Sequence, residues 1–266
     1  MSTEPADSAN DLADAAFGGD PGRWPLPPAA DARELWLRAV AAGGQGRYAS
    51  AFADLDRLRR VPAGDAVASL ALTARASFVR QLGWHDLARS WDGGAEARAR
   101  SGEARADALI GLAADALGVG RFAASQRALE RAAPLVAASG SARLPVRHAW
   151  VSAELAMFRG DGAAAVGHAR RGLQLAPESG SVRHGVKSQV VLAAALCSAG
   201  DLSSARSEGD AALEDTRRFG LVPLQWAIAS LLADIGSSTL SPDQLVRLRE
   251  ESAQKVTRWG GVWRPR

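Results

Sequence analysis

The segment Ala153-Glu154-Leu155-Ala156-Met157-Phe158-Arg159-Gly160-Asp161-Gly162-Ala163-Ala164-Ala165 carries the pattern from which the rest of the chain can be read. Its centre is a Gly-led turn, with one small residue seven positions before the Gly and another five positions after it. The turn recurs at Gly46-Arg47-Tyr48, Gly83-Trp84-His85, Gly120-Arg121-Phe122 and Gly200-Asp201-Leu202, at intervals of 37, 37, 40 and 40 residues. A regular interval in this range is the mark of a repeat array.

Three further columns run in phase with the turns. Ala39, Ala76, Ala113, Ala153 and Ala193 stand seven before the Gly, and Ala51, Ala88, Ser125, Ala165 and Ala205 stand five after it. Leu58, Ala95, Ala132, Gly172 and Ala212 stand twelve after it. Two antiparallel helices joined by a tight turn cross closely only where the contacting residues are small. The Gly ends the first helix in a conformation that other residues resist.

Composition agrees with helix packed on helix. Of 266 residues, 47% are apolar but only 6% aromatic, and Ala, the best helix former, dominates the apolar set. Long β-branched runs are missing. The single Cys197 can form neither an internal disulfide nor a thiolate metal cluster, so a reducing cytoplasm is expected. The opening MSTEPADSAN lacks a signal peptide's basic start and apolar core, and no apolar run is long enough for a spanning helix. Lys occurs only at Lys187 and Lys255, and an arginine bias of this kind reflects a GC-rich genome, with a formal charge of just +3.

The units resemble tetratricopeptide repeats, whose pattern is a small residue in helix A, a Gly-Asp/Asn-Tyr-like turn, a small residue in helix B and a closing Pro. Gly160-Asp161 with Ala165 and Pro177 matches best, and Gly46-Arg47-Tyr48 with Ala51 matches well. The resemblance covers about residues 31–220. The repeats are longer than the usual period of about 34 residues, and in that they resemble the elongated repeats in helical sensor domains of large bacterial regulators. Asp92 departs from the pattern, standing where an apolar residue is expected. The resemblance implies an all-α, right-handed superhelical solenoid of about five antiparallel helix pairs.

Residues 221–266 complete it as a C-terminal capping pair. Pro223 opens one helix, to about Ile235; Ser241-Pro242-Asp243-Gln244 is a capping-box start for another, to about Trp259. Residues 1–30 read as a disordered tail. Glu4, Asp7, Asp11, Asp14 and Asp20 face the single base Arg23, and the tail ends in Pro25-Leu26-Pro27-Pro28.

Nothing assembles a catalytic set. His85, His148, His168 and His184 fit no metal spacing, and no P-loop is present. Gly118-Val119-Gly120-Arg121-Phe122-Ala123 mimics a dinucleotide fingerprint but falls on the repeated inter-helix turn. Cys197 sits in a packing column. His148 and His184, each after an Arg and 36 residues apart, read either as an anion site with Lys187 or as solvated first turns. No cofactor and no metal are expected.

By the resemblance, one helix-A column faces the concave groove of the solenoid: Trp36, Thr73, Ile110, Trp150 and Val190. The two tryptophans read equally as packing against the preceding repeat. Neighbouring columns add Arg33, Arg147 and Lys187, then Ser77 and Glu154, then Phe158. This polar, basic lining with isolated aromatics suits an extended acidic or amphipathic peptide. A terminal-carboxylate clamp of Lys and Asn is excluded, because the one Asn is Asn10. Lys255, Arg258, Arg264 and Arg266 interleave with Trp259 and Trp263; the end reads as a frayed cap, as a weak nucleic-acid platform, or as an attractor of the acidic tail. The expected function is a non-catalytic protein- or peptide-binding scaffold. The alternative is a transcription-linked sensor module that binds a ligand or nucleic acid, and an enzyme comes last.

Overall fold

A computed structural model describes residues 5–100 and 102–265. Thirteen α-helices and no strand occur among the described residues. They are α1 (Pro5–Phe17), α2 (Ala32–Gly44), α3 (Tyr48–Leu58), α4 (Asp65–Gln81), α5 (His85–Arg98), α6 (Gly102–Gly118) and α7 (Phe122–Ala138). Then follow α8 (Arg143–Phe158), α9 (Gly162–Leu175), α10 (Val182–Ser198), α11 (Leu202–Arg218), α12 (Val222–Ile235) and α13 (Pro242–Arg258).

Consecutive helices pack as pairs: α2 with α3, α4 with α5, and so on to α12 with α13. The first members also touch in series, α2 to α4, α4 to α6, α6 to α8, α8 to α10 and α10 to α12. The small columns are the cause. Ala39, Ala76, Ala113, Ala153 and Ala193 are all 0% exposed, as are Ala51, Ala88, Ser125, Ala165 and Ala205. Each turn Gly has positive φ, from 75° at Gly120 and Gly160 to 92° at Gly83, where an L side chain is strained. Side-chain caps sharpen the helix starts. Asp161 accepts from the Ala164 amide at 2.9 Å, and Ser241 and Gln244 form the expected capping box.

The departure of Asp92 has a partner. Its carboxylate is fully buried and ion-paired to Arg80, which also holds the equally buried Asp115 (Nε to Oδ1 2.6 Å). Gly111 makes room, since a Cβ there would meet Asp92 at 2.2 Å.

Residues 1–30 are not a disordered tail where they are described. Helix α1 packs on α2 and touches α10, burying Leu12, Ala15 and Ala16. The segment after it is pinned by Gln45, whose Nε2 donates to the carbonyls of Pro21 (3.0 Å) and Arg23 (2.9 Å). A composition-based reading misses this because the apolar surface that orders α1 is supplied by other helices. Asp11 and Asp20 pair with Arg23, and among the described residues no tail acid pairs with the basic end. Glu4 and Arg266 lie outside the described residues.

The two ends of the helical array meet. The Ala49 amide donates to the Trp259 carbonyl, and the Arg264 amide to the Leu82 carbonyl, both at 2.9 Å. Trp84 Nε1 donates to the Val262 carbonyl at 2.7 Å. The Arg47 guanidinium lies between Trp24 (3.9 Å) and Trp259 (4.2 Å). Residues 259–265 are therefore packed structure rather than a frayed cap. Trp259 and Trp263 are engaged internally, Trp263 against Trp226 at 4.7 Å.

Candidate functional site

The serial contact of the first-member helices leaves a partly open cavity of about 440 Å³ along them. Each helix presents one face to it. On α8 the lining residues are Arg143, Arg147, Trp150, Val151, Glu154 and Met157, and on α10 they are Arg183, His184, Lys187, Val190, Val191 and Ala194. These steps of three and four are the spacing that keeps side chains on one helical face. Helix α2 contributes Trp36 and Val40, α4 contributes Thr73, Ser77 and Arg80, and α12 contributes Leu224 and Trp226. Phe17 of α1 and Trp263 of the C-terminal segment complete the wall. A smaller hollow of about 320 Å³ lies between α3 and α4, and none of the sequence-predicted site residues lines it.

Of those residues, Trp36, Thr73, Ser77, Arg147, Trp150, Glu154, Lys187 and Val190 line the cavity together. Three do not. Arg33 is exposed on the first turn of α2. Ile110 is 0% exposed, packed in the core with Leu109 and Leu144. Helix α6 is pressed between α4, α5, α7 and α8, and shows the cavity only Asp107 and Ala114. Phe158 is 63% exposed and rests against Phe122, one residue beyond Met157, which takes the inward position. Column arithmetic also missed Arg80, Arg143 and Arg183. The last two have a legible signal, since each stands four residues before a predicted base, Arg147 or Lys187.

His148 and His184 are not neighbours in one site. The His148 ring meets the Leu129 carbonyl at 3.1 Å. His184 is buried, stacked on Trp150 at 5.1 Å and held by Ser181 at 2.9 Å. Ser181 caps α10 and does not line the cavity. Trp150 in turn donates to Ser188 Oγ at 2.8 Å, which fixes the indole plane.

Four cations gather around His184: Arg143, Arg147, Arg183 and Lys187. Asp107 serves two of them, pairing with Arg143 (2.7 Å) and with Arg147, and Glu103 takes a second contact to Arg143 at 3.1 Å. Arg183 donates to the Ala16 carbonyl at 3.1 Å, at the negative end of α1, while its Nε is buried without a hydrogen-bond partner among the described residues. Lys187 lies 4.6 Å over the Trp150 ring and makes no ion pair or hydrogen bond among the described residues. Glu154 faces it electrostatically from the same wall.

The titration shifts follow. Burial, then repulsion from the neighbouring cations, pulls Arg183 to about 10, and burial with the Arg80 charge does the same to Arg147. Burial lowers Lys187 as well, against the pull of Glu154. The four cations, on top of burial, hold His184 well below its ordinary value and therefore neutral. Burial, and the Asp115 charge beside it, push the Asp92 carboxyl up against the pull of Arg80. Arg80 loses solvation on burial yet ends above its ordinary value, held there by both carboxylates.

No protein-family model matches the chain, and no curated protein is significantly similar to it.

Proposed function

We propose that this chain is a non-catalytic binding module of the tetratricopeptide-like kind, a right-handed solenoid of helix pairs whose ends meet, and that its working surface is its inside. The observation that carries this reading is the 440 Å³ cavity, lined jointly by residues of α1, six first-member helices and the C-terminal segment. Ligand sites are concave spaces of this size, largely apolar, with a few converging polar groups. Phe17 of α1 and Trp263 of the C-terminal segment both stand in the cavity wall, and its volume suits a small ligand better than a length of extended peptide. The geometry therefore favours the ligand-sensing reading over the peptide scaffold, and a regulatory role in the cytoplasm of a high-GC bacterium suits it. With Trp259 and Trp263 engaged internally, nucleic-acid binding at the basic end has no support.

The test is a thermal-shift screen of small metabolites against wild type and Ala194→Trp, which fills the cavity from α10. Ligand at about a hundred times its Kd adds about 2.7 kcal/mol. For a chain of this size that raises Tm by roughly 5–10 °C. Such a shift in wild type, absent in Ala194→Trp, is the expected result. A shift retained in the filled variant would move the site out of the cavity.

A further inference from the structure

The cavity is polarised. Arg143 and Arg147 are ion-paired to Asp107 and Glu103, whereas Arg183 and Lys187 have no carboxylate in contact among the described residues, Glu154 facing Lys187 only electrostatically. Arg80 is already paired with Asp92 and Asp115. Away from the cations the wall is hydrocarbon and aromatic: Trp36, Val40, Val190, Leu224 and Trp226. Partly buried cations without matching anions lose some of their solvation with little in return. Lys187 is the clearest case, held over an indole with no carboxylate in contact. Placed in solvent, an ammonium would cost nothing. Its position on the inward face of α10, at the same step from Arg183 as Arg147 from Arg143, makes it part of a constructed polar end.

We propose that the cavity takes an apolar monocarboxylate, its carboxylate received by Lys187 with Arg147 and Arg183, and its hydrocarbon or aryl body lying between Trp36, Val190 and Trp226. Guanidinium forks and an ammonium suit a carboxylate geometrically, and a carboxylate supplies the anionic contact that Lys187 and Arg183 lack. This inference rests on the cavity reading above and adds to it the chemistry of the occupant.

The experiment is calorimetric titration of the full chain with octanoate and 3-phenylpropanoate, with octanamide and octyl phosphate as controls. The variants are Lys187→Met and Ala194→Trp. Binding of a carboxylate but not of octanamide, weakened roughly 10- to 100-fold in a folded Lys187→Met protein, is the expected result. Equal binding of octanamide, preference for octyl phosphate, full affinity in Lys187→Met, or no binding of either carboxylate overturns the proposal. The cavity reading has its own readout. If the carboxylate still binds Ala194→Trp, the cavity reading falls too; if the carboxylates fail while another small molecule binds wild type and not Ala194→Trp, only the ligand class falls.

Discussion

Replacing Arg80 by Met removes the shared partner of two carboxylates that are both fully buried, Asp92 and Asp115. A broken buried pair of this kind costs about 3–5 kcal/mol, and urea unfolding of Arg80→Met is expected to read a loss of that size. Lys187→Met is expected to move the other way. It exchanges an ammonium that no carboxylate contacts for a thioether of similar shape on an aromatic wall. A gain of about 0.5–2 kcal/mol without ligand, together with lost ligand response, is the signature of a residue kept for function at the expense of stability. His184 sets a pH dependence. Its folded pKa lies well below 6.5, the ordinary value, so as pH falls through 6.5 the unfolded chain takes up a proton that the native state refuses. Stability is complete above 6.5 and declines on acidification, by up to about 1.4 kcal/mol per pH unit for this one group. Denaturant midpoints between pH 7.5 and about 5 should show a shallower decline in His184→Gln, with a remainder from His148 and His85, whose pKa values are also lowered.

At the scale of single helices, α1 shows how a segment can be ordered by surface it does not own. Its apolar residues Leu12, Ala15 and Ala16 are spaced for one helical face, and Phe17 extends that face to Trp36 (5.4 Å) and His184 (6.1 Å). Averaged with five acids and a Pro-rich stretch, that short stripe vanished from the sequence reading. Leu12→Asp puts a carboxylate into a fully buried position and is expected to release α1 at a cost of about 2–4 kcal/mol. Hydrogen exchange should then accelerate through α1 and at the Arg183 end of α10, leaving α6 and α7 protected. Exchange unchanged in α1 would mean that its docking does not depend on the stripe. The paired helices themselves were far more legible, because a turn Gly and small columns repeat in phase and each has a packing reason. A second Gly series, Gly140, Gly180 and Gly220, all with φ between 64° and 66°, ends the second helix of successive pairs and went unread. It stands twenty residues after Gly120, Gly160 and Gly200, but the same step from Gly46 and Gly83 reaches Ala66 and Glu103, so it marks only three of the five turns.

For the molecule as a whole, the meeting of the ends changes how stability is distributed. In an open repeat array each unit answers only to its neighbours. Here the Trp259 carbonyl and the Arg264 amide tie the C-terminal segment to the start of α3 and the end of α4, and Arg47 joins Trp24 to Trp259. A chain truncated after Arg258 is expected to lose cooperativity: its urea m-value falls and amides near residues 47–51 and 82–86 lose protection first. A truncated chain with the wild-type midpoint and slope would show that the closure carries no stability. What the sequence by itself determined is the helical class, the turn positions, the buried small columns and most of one inward stripe. These follow from periodicity, and periodicity is local. Tertiary structure alone decided that Ile110 and Phe158 leave that stripe, that Asp92 finds Arg80, that α1 docks and that four cations share one corner. Each of these depends on which helix faces which across tens to hundreds of residues, and no spacing along the chain encodes that meeting.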